Sequence, residues 1–346
     1  AKHVDGPVLV HVITKKGKGY APAEEEPVRF HSAAPFDIAT GKGVVKSGAK
    51  QRSYTQVFSE KIASLAASDK KIVAITAAMP EGTGLDIFRD QHPNRFFDVG
   101  IAEGHAVSFA GGLAKEGLKP VVAIYSTFLQ RAYDQIFECV TLQNVGVVFC
   151  LDRAGVVGDD GATHQGVFDI AYLRNIPNMI IMAPRDAMEF ENMLAFAVGQ
   201  NKPVALRYPK DTAPLLRYPP SALALGKAEI LCQGKEFALI AFGSMVKPAC
   251  EAAEILRAEG ISGTVVNARF AKPLDAALLK EIAGNTRFVF TVEDGVLDGG
   301  FGSAVKEVVD GPVVRIGLPD EFLPCGKRDA LLAKYGLSGK GIAQTI

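Results

Sequence analysis

Apolar positions along this chain fall into two kinds of segment that alternate from Ser53 onward: short continuous apolar runs rich in β-branched residues, and longer stretches with helical spacing. A short apolar run bounded by turn residues suits a strand buried on both faces of a parallel sheet. The first block predicts helix Tyr54–Ser68, strand Lys71–Thr76, strand Phe96–Val99 feeding helix Glu103–Glu116, and strand Val121–Tyr125 feeding helix Thr127–Gln143. Strand Gly146–Leu151 then leads into a glycine-rich loop, followed by helix Phe168–Arg174, strand Met179–Ala183, helix Ala187–Val198 and strand Val204–Arg207. Past the proline-rich stretch Pro209–Pro220 the style repeats. Strands Ala238–Phe242, Gly263–Ala268, Phe288–Val292 and Val313–Ile316 alternate with helices Lys247–Glu259, Ala276–Ile282 and Ser303–Asp310. Strands and helices alternating at these lengths imply right-handed βαβ units. The fold class expected is α/β, with two doubly wound, mostly parallel-sheet domains.

The beginning of the chain reads differently. Residues Pro7–Ile13 form another apolar, β-branched run, but nothing upstream supplies a sheet for it. A strand must pair its backbone groups somewhere. The run is therefore expected to be the last strand of a domain whose remainder lies outside the chain. The stretch from about 20 to 52 lacks periodicity and reads as a linker.

Ligands of open α/β sheets bind outside the carboxyl ends of the strands, so chemistry is sought there. Asp98-Val-Gly-Ile-Ala-Glu-Gly-His-Ala106 runs from a strand through a small-residue turn into an apolar helix, and sets Glu103 in that helix's first turn. An acid there complements the helix dipole, which is the bland alternative to a catalytic role. Loop Asp152–Gly166 leaves a strand at the same edge and holds Arg153, Asp159, Asp160 and His164. An arginine there could hold an anion by bidentate pairing, and a histidine could move protons near neutral pH. Tyr125 and Phe128 follow a third strand end and could wall an aromatic ring or simply pack the core. Arg131 lies on an otherwise apolar helical face, which is costly unless it is paired. Arg207-Tyr-Pro-Lys210 ends the last strand, and its cations could bind phosphate or be solvated. His105 reads as structural, and Glu293-Asp294 with Gly299–Gly302 as packing or an interface.

Composition narrows the class without pointing to chemistry. Lys+Arg and Asp+Glu each total 38, for zero formal charge, and no apolar run is long enough for a membrane span. Nucleic acid and anionic membranes, which call for a basic surface, are not expected partners. The five cysteines are widely spaced among apolar neighbours and read as reduced thiols. No Cys/His cluster has zinc spacing, so no metal ligands are expected in this chain. The economical location is the cytoplasm.

Several stretches together resemble one family. They are Thr14-Lys-Lys-Gly-Lys-Gly-Tyr20, Ile101-Ala-Glu-Gly-His-Ala-Val107, Ala123-Ile-Tyr-Ser-Thr-Phe-Leu-Gln-Arg-Ala-Tyr-Asp-Gln135, Asp152-Arg-Ala-Gly155 and Asp160-Gly-Ala-Thr-His-Gln-Gly166. Tyr172-Leu-Arg-Asn-Ile-Pro177, Arg207-Tyr-Pro209, Arg269-Phe-Ala-Lys-Pro-Leu-Asp275 and Gly317-Leu-Pro-Asp320 complete the set. With these motifs the chain is similar to the C-terminal part of the 1-deoxy-D-xylulose 5-phosphate synthase family, transketolase-like enzymes dependent on thiamine diphosphate. The resemblance implies a terminal remnant of a diphosphate-binding domain at 1–20, a linker at 21–52, a pyrimidine-binding domain at 53–215 and a transketolase C-terminal domain at 222–346. It implies that the Mg²⁺ ligands lie in the absent N-terminal domain, without which the chain would be inactive, and that the enzyme is a homodimer.

The resemblance also implies roles. Glu103 would hydrogen-bond the cofactor's aminopyrimidine and so favour the tautomer that removes the thiazolium C2 proton. Met79 and Ile101 would shape the cofactor, Phe128 would stack on the pyrimidine, and Arg131 would belong to the cofactor site. His164 would assist proton transfer, and Tyr125, Arg153, Asp160 and Lys210 would line the substrate pocket. The implied substrates are pyruvate and glyceraldehyde 3-phosphate, and the implied product is a precursor of isoprenoids, thiamine and pyridoxal. Gly104 stands where many members have Gln, Lys210 where a phosphate-binding Arg is expected, and Pro80 where a charged residue is expected. The alternatives are a split transketolase, the β subunit of a 2-oxo acid dehydrogenase, and a non-catalytic dimerisation module.

Overall fold

The computed structural model describes residues 1–27, 29–31, 33, 35–43, 51–219 and 221–346. The chain divides into two compact units, 1–50 and 51–346. Among its described residues the first unit has one short helix, Ala21–Glu25, with Pro22 in its first turn, where a missing N–H costs nothing. Tyr20, Phe30 and Phe36 cluster with ring centroids 5.1–5.9 Å apart. The strand expected at Pro7–Ile13 is not formed: its side chains stand in solvent, with Leu9 93% and Ile13 85% exposed. Among the described residues no neighbouring strand pairs with it, and without a ladder an apolar β-branched run has nothing to be buried against.

The second unit contains both expected sheets. In chain order the strands are β1 (Ile72–Thr76), β2 (Phe96–Asp98), β3 (Lys119–Tyr125), β4 (Val148–Asp152), β5 (Ile180–Met182), β6 (Val204–Arg207), β7 (Glu229–Cys232), β8 (Phe237–Ala241), β9 (Gly263–Asn267), β10 (Phe270–Lys272), β11 (Phe288–Val296) and β12 (Val313–Leu318). The first sheet has the order β10-β5-β6-β4-β3-β1-β2 and the second β12-β11-β8-β9-β7. Every pairing is parallel except the edge strands β10 and β7. β1, β3, β4 and β6 are buried along their length, apart from half-buried Lys119 at the start of β3, as the continuous apolar runs predict.

Three departures from the sequence reading matter. β7 and β10 were not expected. β10 crosses from the second domain's sequence to the first sheet, where it pairs antiparallel with β5; Arg269 turns the chain there at φ +59°. The single helix expected at Thr127–Gln143 is broken into an α turn at Ser126–Leu129, a 3₁₀ turn at Gln130–Ala132, a short turn at Tyr133–Gln135 and a π turn at Ile136–Thr141. Short helices at Pro80–Thr83, Asp86–Gln91, Arg328–Lys334 and Gly339–Thr345 were also missed.

Buried ion pairs join the two sheets. Arg269 Nε lies 2.8 Å from Glu189 Oε1, Arg185 Nη1 2.6 Å from Glu229, and Arg207 Nη1 2.8 Å from Asp294. Arg207 also holds Asp169 through Nε at 3.0 Å. It is therefore a core residue at the domain junction and not the phosphate ligand or solvated cation that its strand-end position suggested. Buried charges persist only when paired and hydrogen-bonded, so these pairs constrain how the sheets meet more than they add stability.

Candidate active site

Strand register brings the expected residues to one edge. Thr76 pairs with Asp98 and Ala123, Tyr125 with Asp152, and Leu151 with Arg207, so β1, β2 and β6 end at the same edge as β3 and β4, which run on by one or two residues. Asp98 ties two of the exits together. Its Oδ1 accepts the N–H of Ala78 at 2.8 Å and that of Gly100 at 3.0 Å. Both residues have positive φ, which a fixed acceptor helps to hold.

Glu103 opens helix Glu103–Lys115 and is 3% exposed. The helix has no side-chain cap, so the acid sits among free N–H groups at the positive end of the dipole. Arg131 reaches it with Nη1, 2.5 Å from Oε1. The predicted cost of Arg131 on an apolar face is thus met by pairing, although its side chain remains 57% exposed. A side chain at Gly104 would meet Gln135, whose Oε1 lies 3.0 Å from where a Cβ would stand. Gln135 therefore takes up the space left by the departure from the family pattern. His105 is exposed and stacks on Phe109, 6.0 Å between centroids, instead of facing the core.

Phe128 is the hub of the remaining groups. Arg131 lies over its ring at 5.1 Å, His164 meets it edge-on at 5.4 Å, and Tyr125 stacks on it at 5.2 Å. On the far side of Tyr125, the Arg153 guanidinium lies 3.9 Å from the ring centroid. Gly82 comes so close that an added Cβ would stand 2.1 Å from the Tyr125 hydroxyl and 2.9 Å from the Met79 methyl. One contact chain thus joins Glu103, Arg131, Phe128, His164, Tyr125, Arg153 and Met79. Burial pushes the Tyr125 hydroxyl up to about 12, so it stays protonated at neutral pH. Ile101, expected to shape a cofactor, projects into solvent at 81% exposed.

Asp160 and Lys210 form a second pair, 2.9 Å apart. Lys210 and Arg153 both line an opening of about 470 Å³, together with Thr55, Gly82 and Asp211. The most informative residue missed in the sequence is Asp152, which is fully buried. It accepts the Thr55 hydroxyl at 2.8 Å and the Arg153 N–H at 2.6 Å, and pairs with Arg153 Nη1 at 2.9 Å. Burial pushes the Asp152 carboxyl above its ordinary range, while the Arg153 charge pulls the other way. Arg153 is held at φ +59° and also donates to the Gly82 carbonyl at 2.7 Å. An acid ending an all-apolar strand, directly before an arginine, was the available signal.

A carboxylate joined through Arg131 to an aromatic ring suits a nitrogen-bearing aromatic ring, and Arg153 and Lys210 give an anion two cations at an opening that Glu81 and Asp211 also line. Among the described residues no group of three or more His, Cys, Asp or Glu is placed to hold a metal ion.

Comparison with known proteins gives this geometry a lineage. The family model for the transketolase pyrimidine-binding domain matches residues 50–214, and that for the transketolase C-terminal domain matches residues 226–342. A solved structure of a split gene transketolase, described as an inactive β4 tetramer, superposes with a TM-score of 0.77 at 32% identity, over 85% of this chain and 96% of that one. The chain belongs to the transketolase family. Within that family it is similar along its whole length to the C-terminal part of 1-deoxy-D-xylulose-5-phosphate synthases. The synthase of Caldanaerobacter subterraneus subsp. tengcongensis is 53% identical over 100% of this chain and 56% of its own length. Synthase 1 of Geobacter sulfurreducens is 53% identical over 99% of this chain and 55% of its own length. The chain thus spans little more than half the length of these curated relatives.

Proposed function

We propose that this transketolase-family chain supplies the pyrimidine-binding half of a thiamine diphosphate-dependent transferase that condenses pyruvate with glyceraldehyde 3-phosphate, releasing carbon dioxide and forming 1-deoxy-D-xylulose 5-phosphate. The observation that carries this reading is the buried Glu103 carboxylate at the sheet edge, paired with Arg131, whose guanidinium lies over the Phe128 ring. That donor set fits an aminopyrimidine: an acceptor for a ring nitrogen and an aromatic face to stack on. The reading assigns the diphosphate and its Mg²⁺ to a separate domain. It divides the second unit into a pyrimidine-binding domain at 53–215 and a C-terminal domain at 222–346.

When bound, thiamine diphosphate would supply an acidic C–H whose deprotonated carbon is the nucleophile toward a 2-oxo acid, and a cationic ring that takes up the electron pair released on decarboxylation. Glu103 would hydrogen-bond the ring nitrogen, and Arg131, 2.5 Å away, would orient that carboxylate. Phe128 would fix the ring plane and Met79 would wall the site. His164, edge-on to Phe128, would serve as the proton-transfer group of the site. Arg153 and Lys210 hold the acceptor's phosphate, and Tyr125 braces Arg153 from below. The enzyme is read as a cytoplasmic homodimer, with exposed Tyr133, Phe137 and Leu142 on the segment after Arg131 offering apolar contact area; no helix among the described residues is long and apolar enough to cross a membrane.

The test assays the chain with a diphosphate-binding domain supplied in trans. Turnover of pyruvate with glyceraldehyde 3-phosphate is expected, and Glu103→Gln should lower kcat by about 10²–10⁴-fold. Full activity in that variant would sink the assignment. Preference for ketose donors would favour the split-transketolase alternative, to which the 32% identical structure lends support.

A further inference from the structure

We propose that Arg328, contributed by the second domain, is a positioning residue that sets the spacing of Arg153 and Lys210; this rests on the reading that those two cations hold the acceptor's phosphate. Arg328 begins helix Arg328–Lys334, and its side chain is only 13% exposed. Each nitrogen of its fork goes to a different segment. Nε donates to the carbonyl of Val156 at 3.0 Å, three residues beyond Arg153. Nη1 pairs with Asp211 at 2.8 Å, next to Lys210. Nη2 donates to the Ser244 hydroxyl at 3.3 Å and lies 3.8 Å from Asp294.

Those partners are where the two cation-bearing segments leave the first sheet. Lys210 and Arg153 flank the same opening of about 470 Å³, which Asp211 also lines. Just past β4 and β6 the segments meet through the Ala154 N–H on the Tyr208 carbonyl at 3.0 Å, and the Asp160–Lys210 pair joins them again; farther out, at Val156 and Asp211, their separation depends on what bridges them. Arg328 is such a bridge, and a planar guanidinium makes it stiff, since its donors are held at fixed angles. The neighbouring chain reinforces the contact: the Gly326 N–H reaches the Gly158 carbonyl at 3.4 Å, Cys325 Sγ donates to the Asp159 carbonyl at 3.1 Å, and Gln165 Nε2 donates to the Pro324 carbonyl at 3.3 Å. The second domain thus grips the loop carrying Arg153, Asp160 and His164 along its outer side. Residues 324–328 hold the loop, and among them Arg328 also reaches the Lys210–Asp211 segment, beside the direct Asp160–Lys210 pair.

The test uses the chain assembled with its diphosphate-binding domain. Arg328→Gln is expected to raise KM for glyceraldehyde 3-phosphate about ten- to a hundredfold, because a misplacement of an ångström at a positioning contact can cost up to about a hundredfold. kcat, KM for pyruvate and KM for unphosphorylated glyceraldehyde should stay unchanged. Asp211→Asn, at a site that is 40% exposed and tolerant of change, should shift the same KM and should not add to Arg328→Gln in the double variant. In the chain alone, amide exchange at Val157 and Gly158 should quicken in Arg328→Gln. If Arg153→Ala and Lys210→Ala raise that KM while Arg328→Gln and Asp211→Asn do not, or if the latter two add independently, the clamp is overturned and the phosphate reading stands. If Arg153→Ala and Lys210→Ala leave the preference for the phosphorylated aldehyde intact, the phosphate reading falls and the clamp's role falls with it.

Discussion

Gly155 lies against the Asp294 carboxylate, so close that a methyl group added at position 155 would stand 2.0 Å from Oδ2. The two residues come from different domains: Gly155 starts the β4 exit loop, and Asp294 sits on β11, holding Arg207 at 2.8 Å and the Ser244 hydroxyl at 2.9 Å. Gly155 also has φ +72°, a conformation that costs a side chain strain. Asp294 cannot retreat without losing its buried pairing to Arg207 Nη1. Gly155→Ala is therefore expected to cost about 2–4 kcal/mol, from strain and overpacking together, measured as a lower urea midpoint. An unchanged midpoint would mean that the loop relaxes away from Asp294.

The strands of both sheets were legible because a strand buried on both faces leaves an unbroken apolar run, as β1, β3, β4 and β6 do. β10 left no such mark: Phe270-Ala-Lys272 reads as the tail of β9, and only the left-handed turn at Arg269 sends it to the other sheet. The site's members were legible as strand-end residues, but their pairings were not. Arg207 looked available for phosphate because its carboxylate partners, Asp169 and Asp294, are 38 and 87 residues away along the chain. Arg131 was flagged as needing a partner, yet Glu103 lies 28 residues back along the chain, on another helix. Pairings made across domains and between helices are tertiary facts, which periodicity does not encode.

Adjacent Glu293 and Asp294 give the second unit opposing pH responses. Burial pushes Glu293 up to about 7, although the N–H groups of Phe301 and Gly302, each 2.7 Å away, favour its charged form. Since the folded-state value lies above the unfolded value of 4.5, the fold binds this proton more tightly. That stabilisation is complete below 4.5 and is lost as pH rises through 7, an effect of about 3 kcal/mol. Asp294 is held below its ordinary range by Arg207 and Arg328, which outweigh its burial, so its contribution is present above the ordinary aspartate value and lost in acid. Between pH 5 and 8 the wild-type stability should decline, and Glu293→Gln should flatten that slope whatever it does to the absolute value. Parallel slopes in thermal melts of the two proteins would refute the assignment.

Lys210 pairs with Asp160 at 2.9 Å through a single ammonium. An arginine there could keep Asp160 with one nitrogen and present a second to a phosphate, since its fork serves two acceptors. Lys210→Arg is expected to lower KM for glyceraldehyde 3-phosphate about three- to tenfold, a gain on the order of 1 kcal/mol, with KM for pyruvate unchanged. Steady-state kinetics in the assembled enzyme decide it, and a raised KM would show that Lys210 is already matched to its ligand by the Asp160 contact.

Gly82 offers a way to disturb the site without disturbing the fold. A Cβ at this position would stand 2.1 Å from the Tyr125 hydroxyl and 2.9 Å from the Met79 methyl. Met79 can yield, being flexible. Tyr125 cannot move freely, because Phe128 stacks on one part of its ring and the Arg153 guanidinium lies over it at 3.9 Å. The displaced ring must push on Arg153, which also donates to the Gly82 carbonyl. The backbone of Gly82 is not left-handed, so the burden falls on packing, with a stability loss of about 1–3 kcal/mol. The kinetic effect should be larger in proportion: KM for the phosphorylated acceptor should rise about tenfold or more, as expected for a misplaced binding group. Gly82→Ala combined with Tyr125→Phe should recover part of that loss, since removing the hydroxyl relieves the closest contact. If the double variant is no better than the single, the collision with Tyr125 is not what moves Arg153.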